Sequence, residues 1–146
     1  MNAELRRLLD ERDIVATAVR YTWALDERDW DALADVFVPD ATADLGSGRT
    51  LVGLDEIRER IAASLTPLDD SQHIVGNHQV RVDGDTATHR CYLHSQHIRH
   101  LDKGSPNYVI GGRYEDRMVR TEEGWRITHR TLVMMWNEGN RDVVRR

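Results

Sequence analysis

The sequence predicts an α+β domain, and three observations carry that reading. Up to about Leu65, apolar residues recur at three- and four-residue steps. From Ser71 to Trp136 the chain reads instead as long strands joined by tight, glycine-containing turns. Helices first and antiparallel strands afterwards is the plan in which helices cover one face of a sheet. At 146 residues the chain suits one domain spanning 1–146, with a sizeable core.

Each element has its own warrant. A first helix is expected from about Asn2 to Glu27, where Leu5, Leu8, Leu9, Val15, Ala18, Val19, Thr22 and Leu25 form one apolar stripe. A short second helix follows, capped by Asp29, burying Trp30, Leu33, Val36 and Phe37, and ended by Pro39. "ATADLGSGRTLVG" reads as two short strands around Gly46-Ser47-Gly48. "GLDEIRERIAASL" is a third helix, with Ile57, Ile61 and Leu65 on one face and acids in its first turn, where the dipole favours them. "VDGDT" and "TEEGW" are hairpin turns, and "DKGSPN" links the two hairpins. The tail "NEGNRDVVRR", from about residue 138, shows no periodicity and is expected to be loosely packed.

Composition limits the function. The net charge is −5 with acids and bases interspersed, so no basic face points to nucleic acid. The first residues are too charged for a signal peptide, and no apolar run reaches membrane-spanning length. Cys91 is the single cysteine and has no partner for an internal disulfide. A cytoplasmic globular protein without a membrane or nucleic-acid partner is expected.

Two residues draw attention as chemistry. Asp26 falls four residues after Thr22 and seven after Val19, which puts a carboxylate on the apolar side of the first helix. Such a group either has a partner or sits at the helix end, binding water or capping the next helix. His73, in "DSQHIVGNHQV", opens a strand, where a lone histidine serves structure or proton chemistry alike. His94, His97 and His100 invite a metal reading, but alternation puts His97 on the face opposite His94 and His100. No metal is expected there.

"YTWALDERDWDAL" and "QHIVGN" are similar to the first-helix end and the strand opening of scytalone dehydratase, and "QHIVGN" is also similar to the corresponding segment of hexachlorocyclohexane dehydrochlorinase. "WRITHR" resembles the last strand of the dehydrochlorinase. With the element order, these segments identify the chain as resembling the SnoaL-like group of the nuclear transport factor 2-like superfamily. The resemblance implies a cone: three helices on a strongly curved, mainly antiparallel sheet that encloses a pocket. It implies a catalytic pair of Asp26 and His73, with Arg130 facing the pocket.

The departures concern the groups that hold substrate. Leu25 stands where scytalone dehydratase has a tyrosine, Cys91 near its second histidine (His89 shares that strand parity), and Tyr21 where the dehydrochlorinase has a lysine. The resemblance therefore implies a cofactor-independent lyase for a small, apolar, cyclic substrate. His73 would be the base and Asp26 its orienter, Tyr21 and Arg130 would stabilise charge, Cys91 would bind substrate, and Trp23 and Trp136 would either line the pocket or serve as core or interface. A homo-oligomer is implied, a trimer before a dimer.

Three other readings stay open. "RYTWAL" also resembles ketosteroid isomerase, for which Asp44 would be the nearest base, although no second acid stands near Gly111-Gly112. A polyketide cyclase is the second. The third is a non-catalytic module, binding a ligand or resembling the small subunit of ring-hydroxylating oxygenases.

Overall fold

The computed structural model describes residues 1–145. Helix α1 (Ala3–Asp26) starts at Asn2, whose side chain accepts the Leu5 N–H at 2.8 Å. It is followed by a 3-10 segment (Trp30–Asp35), strands β1 (Phe37–Asp44) and β2 (Leu51–Val52), and helix α2 (Leu54–Leu65). Four long strands complete the sheet: β3 (Asp70–Asp83), β4 (Thr86–Ile98), β5 (Asn107–Thr121) and β6 (Gly124–Gly139). A second 3-10 segment, Arg141–Val144, ends the described chain.

The six strands form one open sheet in the order β2-β1-β6-β5-β4-β3. Among the described residues, β1 and β6 alone pair in parallel; every other pair is antiparallel. Register shifts interrupt four regions, between Phe37 and Thr42, Gly76 and Gln79, Gly111 and Gly112, and Arg117 and Met118. Such bulges increase local twist and bend the strands, which curves the sheet around the helices. This is the cone-like α+β fold expected. α1 lies against β3 and β6, and α2 against β1. Their apolar residues and the inner face of the sheet make one core that includes Ile14, Tyr21, Phe37, Ile57, Tyr114 and Ile127. Each large apolar side chain buried there contributes about 1.5–3 kcal/mol.

Four local expectations change. The stripe of α1 that reaches the core runs through Asp10, Ile14, Thr17, Ala18, Tyr21, Ala24 and Leu25. Leu8 is 54% exposed, because Asp10 already meets Arg120 and Trp125 beside the β5–β6 turn and residues 1–8 are all exposed. The expected second helix is a 3-10 turn, and Phe37 is already in β1. Pro39 therefore sits inside a strand, in the stretch where pairing with β6 is interrupted and no ladder donor is missed. The tail is not loose. Val143 is 0% exposed in the core, and Asn140 bonds back to Asn107 and Ser105. Among the described residues, no helix is long and apolar enough to cross a membrane.

Candidate active site

The end of α1 sets the first part of the site. Arg28 takes a left-handed backbone (φ 59°), and the N–H groups of Arg28 and Asp29 return to the carbonyls of Leu25 and Ala24. That stop leaves Asp26 at the last helical position, facing the start of β3. Its Oδ1 accepts from His73 Nδ1 at 2.6 Å and its Oδ2 accepts from the His73 backbone N–H at 2.8 Å. Ser71 Oγ donates to the same carboxylate at 3.1 Å, and Arg28 Nη1 donates to Ser71 Oγ at 2.7 Å. The acid read on the apolar side of α1 has a partner after all.

A carboxylate only accepts, so the proton on that imidazole lies at Nδ1 and Nε2 is the basic nitrogen. Partial burial works against the charge of Asp26, but the side-chain and backbone hydrogen bonds from His73 outweigh it and lower the Asp26 pKa. A cleft of about 650 Å³ opens here, with Trp23, Asp26, His73, Ile74 and Gln96 on its walls. Trp23 stands at its rim, 63% exposed.

His97 joins this group and was not singled out in the sequence as a site residue. β3 and β4 pair antiparallel, and His97 points to the inner face with its ring centroid 5.8 Å from that of His73. Its Nδ1 lies 3.2 Å from the Tyr108 carbonyl, which fixes the hydrogen on Nδ1. Burial, reinforced by His73, lowers its pKa to about 4, so it stands neutral beside the base.

Tyr21, Cys91 and Arg130 form a second, deeper group. Arg130 is 0% exposed and makes a two-pronged bond to Asp116, at 2.7 and 2.8 Å. Its guanidinium carbon lies 4.4 Å from the Tyr21 ring centre and 3.9 Å from that of Tyr114, so both rings face the cation. Nη1 has no hydrogen-bond partner among the described residues. Burial disfavours both charges, but each holds the other ionised: Arg130 lowers the pKa of Asp116, and Asp116 raises that of Arg130. Burial pushes the Cys91 thiol up to about 11. Arg130 was expected to face a substrate, and this arrangement corrects that: it is fully buried, its Nε and Nη2 donate to Asp116, and its faces meet two tyrosines.

Two further expectations change. Trp136 is on the outer face of the sheet, 45% exposed and packed over Gly111, where a Cβ would come within 2.0 Å of the ring. It therefore lines no pocket on the side of His73. Asp44, the base an isomerase would need, points away from the buried Ala43 and accepts the Gly46 N–H at 3.1 Å. The missed partners, His89 with Asp116 and His97 with Tyr108, are cross-strand neighbours and follow from β4–β5 register.

Similar proteins agree with this architecture. The SnoaL-like domain family matches residues 6–131. The chain belongs to that family. An uncharacterised protein of Mycobacterium tuberculosis is 36% identical over 125 residues, covering 83% of this chain and 82% of the relative. A solved structure from Novosphingobium aromaticivorans, provisionally named an aromatic ring hydroxylase, is 31% identical with a TM-score of 0.82, covering 94% of this chain and 98% of that one. Two others share the fold. A protein of the same organism provisionally named a scytalone dehydratase is 21% identical with a TM-score of 0.82, covering 92% and 89%. Hexachlorocyclohexane dehydrochlorinase LinA-type3 of Novosphingobium barchaimii is 17% identical with a TM-score of 0.83, covering 95% of each chain.

Proposed function

We propose that this SnoaL-like protein is a cofactor-independent lyase acting on a small, mostly apolar, cyclic substrate in the cytoplasm. The observation that carries the reading is the 2.6 Å contact between Asp26 and His73 at a cleft, with the carboxylate also clamped to the His73 backbone. His73 Nε2 takes a proton from carbon, the C–H electrons form the new double bond, and the leaving group departs. Asp26 holds the imidazole in the required tautomer and stabilises the imidazolium that forms. His97, neutral and close by, adds no competing positive charge. The kinship in fold with a dehydrochlorinase supports the class of chemistry and leaves the substrate open.

A general-base probe tests this without the natural substrate. 5-Nitrobenzisoxazole opens when a base removes the single C–H proton of its isoxazole ring and the N–O bond breaks. The wild-type protein is expected to accelerate that opening beyond free imidazole. Asp26→Asn and His73→Ala are each expected to lose roughly 10²–10⁴-fold. Folded variants as fast as wild type would overturn the assignment.

A second reading rests on a different observation. Ile74, Tyr92, Met134, Met135 and Trp136 are all exposed large apolar residues, and most of them line one cleft on the outer face of the sheet. A face of this kind serves assembly. We assign it to a homo-oligomer of this chain, a trimer before a dimer; a non-catalytic module would use the same face for another subunit.

A further inference from the structure

Strand β3 changes sides half-way. Gly76 pairs with Tyr92 and Gln79 with Arg90, so two residues, Asn77 and His78, stand opposite the single Cys91. Asn77 absorbs the extra residue with a left-handed backbone, φ 54°. Before this bulge Ser71, His73 and Val75 are the more buried residues of the strand; after it His78, Val80 and Val82 are. Without the extra residue, alternation would keep Asn77 inside and send His78 out.

The turned-in His78 meets the inner face of β4. Its Nδ1 lies 2.9 Å from His89 Nε2, and one ring nitrogen of each histidine and Cys91 Sγ all lie within 4.8 Å of one another. His89 and Cys91 are two apart on one strand and so share a face. The remaining nitrogen of His89, Nδ1, lies 2.8 Å from Asp116 Oδ2. Because a carboxylate only accepts, His89 carries its hydrogen on Nδ1 and aims the Nε2 lone pair into the cluster. Asp116 is fixed in turn by Arg130. A histidine whose outer nitrogen is held by a carboxylate is the usual outer support of a metal ligand.

We infer that His78 Nδ1, His89 Nε2 and Cys91 Sγ form a binding site for one divalent transition-metal ion of the zinc class, separate from the Asp26–His73 pair. Two imidazoles and a thiolate are a donor set that zinc favours, and three protein ligands leave the fourth tetrahedral position open. Bonds of that class separate donors by about 3.3–3.6 Å, so the two nitrogens open slightly and the sulfur closes in. Arg130 and Asp116 form an ion pair that cancels in charge behind His89. His78, the half-buried member of the three, and Cys91 also border a cleft of about 460 Å³. Binding balances simply: the thiol proton leaves to solvent, and the His78 hydrogen moves from Nδ1 to Nε2 so that Nδ1 can bond. Without metal, the same hydrogen is what joins the two imidazoles.

Cobalt(II) titration of chelator-treated protein tests the site directly. One equivalent is expected to develop the near-ultraviolet thiolate-to-cobalt charge-transfer band and the strong visible bands of four-coordinate cobalt, and zinc is expected to displace both. Cys91→Ser should abolish the charge-transfer band. His78→Gln, at a half-buried position, removes a direct ligand and should weaken binding by more than the roughly 10–100-fold typical of losing an outer support. His94→Gln, on the outer face, should bind as wild type. Zinc should also raise the melting temperature of the wild-type protein and not of Cys91→Ser, a readout independent of cobalt spectra. No cobalt bands at millimolar metal, or equal binding in folded Cys91→Ser and His78→Gln, would overturn the site and leave the pair as a hydrogen bond in the core. Neither result bears on the Asp26–His73 assignment, whose probe reaction requires no metal.

Discussion

His97 shows how one buried side chain reaches into the behaviour of the whole protein with pH. Its folded pKa, about 4, lies below the ordinary histidine value of about 6.5. Between those values the unfolded chain takes up a proton that the folded chain refuses, so stability falls as pH drops through that window. The full difference corresponds to roughly 3 kcal/mol. Asp26 adds a separate loss at lower pH: its depressed carboxylate stabilises the fold above about pH 4, the ordinary carboxylate range, and that contribution disappears as it protonates. Urea unfolding at a series of pH values is expected to show both phases. In His97→Gln the phase between about pH 6.5 and 4 should shrink to what His78, also lowered by burial, contributes, and the lower one should remain. At this scale the sequence was partly legible. An acid on an apolar helix side pointed to a partner or to a helix-end role, and the structure gives it His73 as a partner. Tyr21 and Arg130 were legible as a pair of interest but not in their role. Asp116, which claims Arg130, lies on another strand and is invisible until the register is known.

Elements differ from expectation where a strand or helix is interrupted rather than where it is regular. The four long strands, the turns between them and α2 follow from periodicity and turn residues. The bulge at Asn77 and His78 does not, because "GNHQV" keeps a plausible alternation on either reading. Asn77 should accept glycine at little cost, since both tolerate a left-handed backbone. Asn77→Val should lose about 1–2 kcal/mol in urea unfolding, the strain of a β-branched residue at positive φ. The C-terminal segment teaches the same lesson in reverse. Its sequence lacks a pattern because one side chain, Val143, does the packing while Asn140 supplies the bonds. Val143→Ala removes two buried methyl groups and should cost roughly 2 kcal/mol, again by urea unfolding.

The whole molecule presents two unlike faces. The inner face carries the core and, within it, polar groups locked to one another; the outer face carries large apolar residues left exposed around Gly111 and Gly112. Composition pointed to neither, since four tryptophans suit a pocket as well as a surface. If the outer face joins copies of this chain, sedimentation should give a trimer or dimer that Tyr92→Glu with Trp136→Lys converts to monomer. Loss of assembly without loss of base activity on the benzisoxazole probe would separate the two roles.

The position of β3 has a consequence for the protein's solubility. It is the last strand of an open sheet, fourteen residues long, with a neighbour on one side only. Free edges of that length are templates on which a second chain can add a strand and begin a fibre. Here the template is broken twice. Asp26 occupies the outward N–H of His73, and the kink at Asn77 spoils the straight run beyond it. The carboxylate that orients the imidazole thus also guards the edge against polymerisation. Asp26→Ala should therefore scatter light on prolonged warming sooner than His73→Ala, which keeps the backbone donor covered.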